Sequence, residues 1–400
     1  MLREGTKHTF KTIDRPVCVN DFQLLAQKQL PKDLYDYLSS GADDEQTLNE
    51  NRDAWKRWYL RPRVLRSLDA VIDTRVVLPW QQQRHTLSMP VFVSPAGVQA
   101  LMHPDGECAV ARACEKAGIL YGLSQHATNS IEEVAAAAPQ CLRYYQSYIL
   151  KDREWTWRLI ERALQAGYQG IFLTVDSVRF GYRPADARNG FNALPAPHRL
   201  VHYDDDHTQD DNMNSGKKAI YNGQTHSAWD QNSEQLLDTQ TSWKDVRWLR
   251  ERLPPHIPLI IKGIMTQEDA IFAVQAGADA VMVSNHGGRQ VDGCLAAIDV
   301  LPEVAAAVGH QVPIFLDGGV RHGSDVVKAL ALGATAVGIG KPVFFSLAVG
   351  GRTAVEQMLQ LLKNEIESCM ALCGIDRISA IPASNIVTRH PSLLVGNSKL

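Results

Sequence analysis

From Pro90 onward the chain repeats one pattern: a short apolar run, a turn, an amphipathic stretch with helical spacing, and another short apolar run. The apolar runs fall at residues 91–95, 120–124, 142–148, 170–176, 259–263, 280–285, 314–318 and 337–341. Helical patterns lie between them at 106–117, 131–138, 154–166, 243–252, 267–276, 301–308 and 323–332. Gly118, Gly167, Gly277 and Gly333 follow four of these helices, where the cap residue needs left-handed backbone. The alternation predicts an α/β chain closed into a (β/α)8 TIM barrel. A doubly wound open sheet is the alternative, but it usually has fewer strands.

Three regions fall outside the repeat. Residues 1–88 read as an N-terminal helical extension packed on the barrel, with a helix over 31–41 that carries Tyr35 and Tyr37. The barrel occupies 89–390, with a long loop after its fourth strand. Residues 192–241 of that loop are rich in Asp, Asn, Gln, His and Ser, a composition that buries little apolar surface. Two readings stand for it: a lid at the rim, or a surface excursion. Residues 391–400 form a flexible tail ending Ser398-Lys399-Leu400, which reads as a peroxisomal import address. Its partner would be the import receptor, and its compartment suits chemistry that makes peroxide.

An apolar content of 45% supports a large core, and a net charge of −3 gives no reason to expect nucleic acid or an anionic membrane as partner. No apolar run is long enough to span a bilayer. The N-terminus has no apolar segment of signal-peptide type. The seven cysteines form no CxxC pair and no zinc spacing, so no metal site is expected and the thiols read as reduced, in an intracellular setting. Cys369 and Cys373 have the spacing of one buried helix face.

In a barrel of this kind the chemistry sits where strands end. Here nearly every strand ends in hydrogen-bonding or charged groups. The most informative is Ser284-Asn285-His286-Gly287-Gly288-Arg289-Gln290, which delivers a histidine and an arginine together. Histidine can take a proton near neutral pH, and arginine can grip a carboxylate with two parallel bonds. The pair points to an enzyme acting on a small organic acid. Gly318-Gly319-Val320-Arg321 and Gly338-Ile339-Gly340-Lys341 follow the last two strands, where such barrels commonly hold a phosphate. No GxGxxG follows the first strand, so a nicotinamide dinucleotide is not supported.

The motif Ser284 to Gln290 resembles the signature of the FMN-dependent L-2-hydroxy acid oxidases and dehydrogenases, most closely those of peroxisomal glycolate oxidase type. The resemblance extends over Tyr35-Asp36-Tyr37, Ser40-Gly41-Ala42, His103-Pro104-Asp105-Gly106-Glu107, Leu173-Thr174-Val175-Asp176, Lys262-Gly263-Ile264 and Asp317 to Arg321. It implies FMN as cofactor, a small L-2-hydroxy acid such as glycolate or L-lactate as substrate, and dioxygen as acceptor giving H2O2. The alternative is the same half-reaction with a non-oxygen acceptor. It implies His286 as base, oriented by Asp176, with Lys262 beside the flavin N1–O2 edge. Tyr148 would touch the substrate, Arg183, Arg289 and Tyr37 would hold its carboxylate, and His126 would lie by its tail. Pro95, Ala96, Gly97, Ser124, Gln146, Thr174 and Ser284 would take the isoalloxazine and ribityl. Asp317, Gly318, Gly319, Val320 and Arg321, with Gly340 and Lys341, would take the ribityl hydroxyls and phosphate. A homo-oligomer, commonly a tetramer, is also implied. Three positions depart from the usual pattern: Lys341 for an arginine, His126 for a tryptophan, and Gly97 for an alanine common in the oxidases.

Overall fold

A computed structural model describes residues 15–68, 71–80, 84–191, 194–203, 236–382 and 385–389. The tail with its terminal Ser-Lys-Leu, and most of the 192–241 segment, lie outside the described residues. Helices α1 (Val19–Gln29), α2 (Lys32–Ser39) and α3 (Gln46–Asp53) lead into strand β1 (Trp58–Leu60) and a hairpin of β2 (Val76–Pro79) and β3 (Arg84–Leu87). The alternating units follow: β4 (Val91–Val93), α4 (Gly106–Ala117), β5 (Leu120–Ser124), α5 (Ile131–Ala137), β6 (Arg143–Ser147), α6 (Arg153–Gln165), β7 (Ile171–Thr174) and a short α7 (Pro184–Asn189). The second half runs α8 (Trp243–Arg252), β8 (Leu259–Ile264), α9 (Gln267–Gln275), β9 (Ala280–Val283), α10 (Ala297–Val308), β10 (Ile314–Asp317), α11 (Gly323–Ala331), β11 (Ala336–Ile339), α12 (Lys341–Leu372) and β12 (Val387–Arg389). Strands β4 to β11 pair in parallel and close into one barrel, with β11 returning to β4. Among the described residues no helix is long and apolar enough to cross a membrane.

Local chemistry starts and stops these elements. Ser130 and Glu133 form a reciprocal cap at the start of α5, and Asp152 accepts the N–H groups of Glu154 and Trp155 at the start of α6. Gly118 ends α4 in left-handed backbone.

The period of two along each strand decides what fills the barrel. Phe92, Leu120, Tyr144, Phe172, Ile260, Met282, Phe315 and Ala336 point inward and form one buried cluster. Phe92, Phe172 and Phe315 meet at ring separations of 5.3–6.2 Å. Two residues further along the same strands come Ser94, Gln146, Thr174, Lys262, Ser284, Asp317 and Gly338. The apolar layer is therefore a floor, and a polar layer lies directly over it.

The N-terminal extension packs against both ends of the barrel. Leu78, Trp80 and Leu87 of the hairpin region belong to the interior cluster. Trp80 stacks on Phe315 at 6.1 Å and donates its indole N–H to the Tyr144 hydroxyl at 2.7 Å. At the opposite rim, α3 packs against the turn after β9. The Ala42 N–H donates to the Gly288 carbonyl at 2.8 Å, and a Cβ on Gly288 (φ +74°) would strike the Leu48 backbone.

The extension thus differs from the wholly helical expectation: it contains three strands, and β1 pairs antiparallel with the distant β12. Several barrel strands are also shorter than the apolar runs. β4 stops at Val93, β7 at Thr174 and β9 at Val283, because the residues beyond leave the ladder to face the rim. The longest helix, α12, is signalled in the sequence only by the Cys369/Cys373 spacing, and it is broken at Gly350 and Gly351. Trp80→Ala should lower unfolding free energy by about 3–5 kcal/mol, the usual cost of removing a large buried aromatic. Chemical denaturation checks this, and an unchanged midpoint would show that the hairpin is no plug.

Candidate active site

The rim at the carboxyl ends of the strands surrounds a cavity of about 1370 Å³, its open mouth included. Its wall carries Tyr37, Pro95, Ala96, Gly97, Ser124, His126, Tyr148, Arg183, Lys262, His286, Arg289, Asp317 to Arg321, Gly340 and Lys341. Of the residues singled out in the sequence, Gln146, Thr174, Asp176 and Ser284 are not part of that wall. Gln146, Thr174 and Ser284 are buried; Gln146 accepts the Ser124 hydroxyl, and Ser284 accepts the His286 N–H.

The centre of the site is one carboxylate shared by two basic groups. His286 follows β9 in left-handed backbone, φ +57°, and its N–H donates to Ser284 Oγ at 3.1 Å. That turn brings His286 Nδ1 to 3.0 Å from Asp176 Oδ1, leaving the other ring nitrogen for the cavity. Lys262 Nζ lies 4.0 Å from Asp176 Oδ2 and has no hydrogen-bond acceptor among the described residues. A register shift in β8 between Lys262 and Ile264 sets this geometry. Gly263, at φ +111°, lets Asp176 pack where any Cβ would collide with it.

Gln290 locks the turn after β7 from behind. Its amide donates to the Asp176 carbonyl at 2.7 Å, the Arg179 carbonyl at 2.9 Å and Ser177 Oγ at 3.0 Å. Burial opposes ionisation of Asp176, but Lys262 and His286 outweigh it and hold its pKa down to about 2. Burial, then the Lys262 charge, lower the His286 pKa; Asp176 pulls in the opposite direction without cancelling them.

Two guanidinium groups lie beside the Tyr37 ring. The Arg289 and Arg183 carbons lie 5.1 and 5.8 Å from its ring centre. Arg183 donates to Asp186 at 2.7 Å, one helical turn along α7. Arg289 donates to the carbonyls of Tyr37 at 2.8 Å and Ser40 at 3.2 Å, at the negative end of α2. Burial, then the Arg289 charge, lower the Arg183 pKa, and burial raises that of Tyr37.

An aromatic wall adjoins the clamp. The His126 ring lies 5.0 Å from Tyr148 and 5.9 Å from Phe180. Burial, with smaller help from His286, pushes the His126 pKa down to about 3, so it is neutral at physiological pH. A Cβ on Gly97 would run into the His126 carbonyl and Cβ, so the two departures from the usual pattern are in contact.

At the far end Gly318, Gly319 and Gly340 line the cavity beside Arg321 and Lys341. Burial, then the Arg52 charge, lower the Arg321 pKa to about 10. Burial, then Arg289 and Arg321, hold that of Lys341 well below its ordinary value. Lys341 Nζ donates to the Ser39 and Ser40 carbonyls, each at 2.9 Å. A Cβ on Gly340 would meet nothing within 4 Å. These features fit a ring with polar edges and a phosphate tail. Gln146 Nε2, Thr174 Oγ1, Lys262 Nζ and Asp317 Oδ1 are buried polar atoms that have no partner among the described residues and belong to the layer under the cavity. A glycine cradle with two cations stands at its end.

Sequence reading missed several residues that shape the site. Asp186 holds Arg183, and its i, i+3 spacing after Arg183-Pro184 was a usable signal. Asn51 and Asn285 exchange two amide hydrogen bonds of 2.8 and 2.9 Å, joining α3 to the loop that carries His286. Nothing in the sequence marks Phe180 or Ser177 as neighbours of the site.

Comparison with known proteins agrees with this geometry. The family model described as FMN-dependent dehydrogenase matches residues 26–388. Glycolate oxidase 5 of Oryza sativa subsp. japonica is 42% identical, over 96% of this chain and 98% of its own length. 2-Hydroxyacid oxidase 1 of Homo sapiens is 42% identical over 95% and 98%. The crystal structure of mandelate oxidase with (S)-4-hydroxymandelic acid superposes with a TM-score of 0.85 at 35% identity, covering 94% of this chain and 99% of that one. The chain belongs to the FMN-dependent dehydrogenase family.

Proposed function

We propose that this protein oxidises small L-2-hydroxy acids, of the glycolate or L-lactate class, to 2-oxo acids, with dioxygen reduced to H2O2. One observation carries the reading most directly: a histidine paired with Asp176 shares a cavity wall with two arginines that both lie beside Tyr37. The reaction removes two protons and two electrons from the carbinol group. Bound FMN supplies the two-electron acceptor.

The chain's own groups do the rest. Arg183 and Arg289, helped by Tyr37, hold the substrate carboxylate, and that anion relieves their mutual repulsion. His286 accepts a substrate proton on the ring nitrogen that Asp176 leaves free. Asp176 keeps the imidazole in one tautomer and steadies its cation. Tyr148 hydrogen-bonds the substrate. Lys262 places a buried cation at the flavin edge, where developing negative charge is stabilised. Ser124, Gln146, Thr174 and Ser284, with the backbone of Pro95, Ala96 and Gly97, hold the ring. Asp317 to Arg321, Gly340 and Lys341 hold the ribityl chain and phosphate. The terminal Ser398-Lys399-Leu400 directs the protein to the peroxisome.

A second reading keeps the half-reaction but passes electrons to a non-oxygen acceptor. Gly97, where similar oxidases carry alanine, favours it. The two separate in one experiment. Protein reduced anaerobically by glycolate or L-lactate is mixed with aerated buffer; prompt return of the yellow colour with peroxide supports the oxidase, and slow return overturns it.

His286→Ala should keep the cofactor and lower the anaerobic reduction rate by about 10²–10⁴-fold, the range of general-base contributions. An unaltered rate would remove His286 as the base. The reduction rate should rise with pH and level off, with its inflection below the ordinary histidine value of about 6.5, because burial and Lys262 disfavour the cation. Asp176→Asn deletes the one carboxylate that raises this pKa, so the inflection should move lower still. An upward movement would contradict the assignment. Deleting Ser398 to Leu400 should leave the activity and release the protein to the cytosol, as seen by fractionation; retention in peroxisomes would defeat the address.

A further inference from the structure

The long connection between β7 and α8 carries more than Asp176 and Arg183. Its short helical turn Val201–Tyr203 is buried behind the aromatic wall, with His202 and Tyr203 almost fully excluded from solvent. Both residues bind Gln125, His202 at its backbone and Tyr203 at its side chain, and Gln125 is itself fully buried just past the end of β5. His202 Nδ1 lies 3.0 Å from the Gln125 carbonyl and donates to it. Gln125 Nε2 donates to the Tyr203 hydroxyl at 3.0 Å. On its other side, Gln125 Oε1 accepts the Tyr148 N–H at 2.8 Å and the Ser147 hydroxyl at 3.2 Å.

The orientation of this amide is forced. The Tyr148 N–H can only donate, so the amide oxygen faces it and the amide nitrogen faces Tyr203. The Tyr203 ring is packed edge-on against Trp155 at 5.8 Å and lies 5.7 Å from His126. One phenol therefore braces, through one glutamine, the backbone that carries Tyr148, and its ring backs the histidine beside it.

We propose that Tyr203 is a positioning residue: through Gln125 it sets where the Tyr148 hydroxyl and the His126 side of the substrate space stand. The part of this proposal that concerns turnover rests on the hydroxy-acid reading above. Removing the phenolic oxygen strands a buried N–H of Gln125. That donor can be satisfied only by moving the amide away from Tyr148. A small displacement at a reacting group costs far more in rate than in folding.

The test uses the full-length holoprotein. Tyr203→Phe keeps the ring and its packing and removes only the oxygen. Gln125→Met keeps the volume and removes all three side-chain hydrogen bonds, and provides the same test if the first variant does not fold. Three quantities are read: the limiting rate of anaerobic reduction by L-lactate and glycolate, the bound FMN content, and hydrogen–deuterium exchange at the Tyr148 amide. The expected result is wild-type FMN content, a limiting rate about 10-fold or more lower, and faster exchange at Tyr148. The Tyr203→Phe/Gln125→Met double variant should be no slower than Gln125→Met alone, because the two act as one unit. A limiting rate equal to wild type, or additive losses in the double variant, overturns the proposal. If no hydroxy acid reduces the wild-type protein, the functional reading fails, and Tyr148 exchange alone decides the brace: faster exchange sustains it and unchanged exchange overturns it.

Discussion

The site is organised around the Asp176 carboxylate, which lies between the His286 imidazole at 3.0 Å and the Lys262 ammonium at 4.0 Å. A buried ammonium needs a nearby negative charge, and a base needs its proton held on the correct nitrogen. One carboxylate meets both needs and is ionised because of them. It does so only partially for Lys262, which makes no hydrogen bond within the described chain. With Arg183, Arg289, Arg321 and Lys341 in the same wall, the cavity holds more positive than negative charge. Such a surface favours anions, and the proposed function puts a carboxylate at one end and a phosphate at the other.

This concentration of charge is tolerable because the barrel separates it from the core by strand geometry alone. Inward residues alternate with outward ones, so Phe92, Tyr144, Phe172, Ile260 and Phe315 are followed two places later by Ser94, Gln146, Thr174, Lys262 and Asp317. The lower layer is closed beneath by Trp80, and the upper layer is left for chemistry. The extension is then part of the site as well as a cover. Its α3 contributes Asn51 to the cavity wall and to the amide pair with Asn285, steadying the turn that presents His286 and Arg289.

Much of this was legible in the sequence because two strong periodic signals agree. The strand–helix alternation reveals the barrel, and α4 and α8 begin and end where their patterns do. The rim chemistry was legible for a related reason: Ser284 to Gln290 puts residues that cannot be core at the end of a run that must be. What could not be read depends on contacts between segments distant in the chain. The β2–β3 hairpin has only short apolar runs, and its burial is decided by Phe315 and Tyr144, far along the chain. The partnership of β1 with β12 spans more than three hundred residues. Gln125, beside the conspicuous His126, shows its importance only when Tyr203 and Tyr148 arrive on either side of it.

The contact between Gly97 and His126 bears on how this active site could have diverged. An added methyl at 97 meets the peptide carbonyl of residue 126, which no change of rotamer can move aside. Val98 reinforces this by donating its N–H to the same carbonyl at 3.0 Å. Alanine therefore cannot enter at 97 unless the peptide chain at 126 retreats, whichever side chain stands there. A lineage crossing between alanine and glycine at 97 would have to shift the backbone of the loop at 126, and exchanging the side chain there would not be enough.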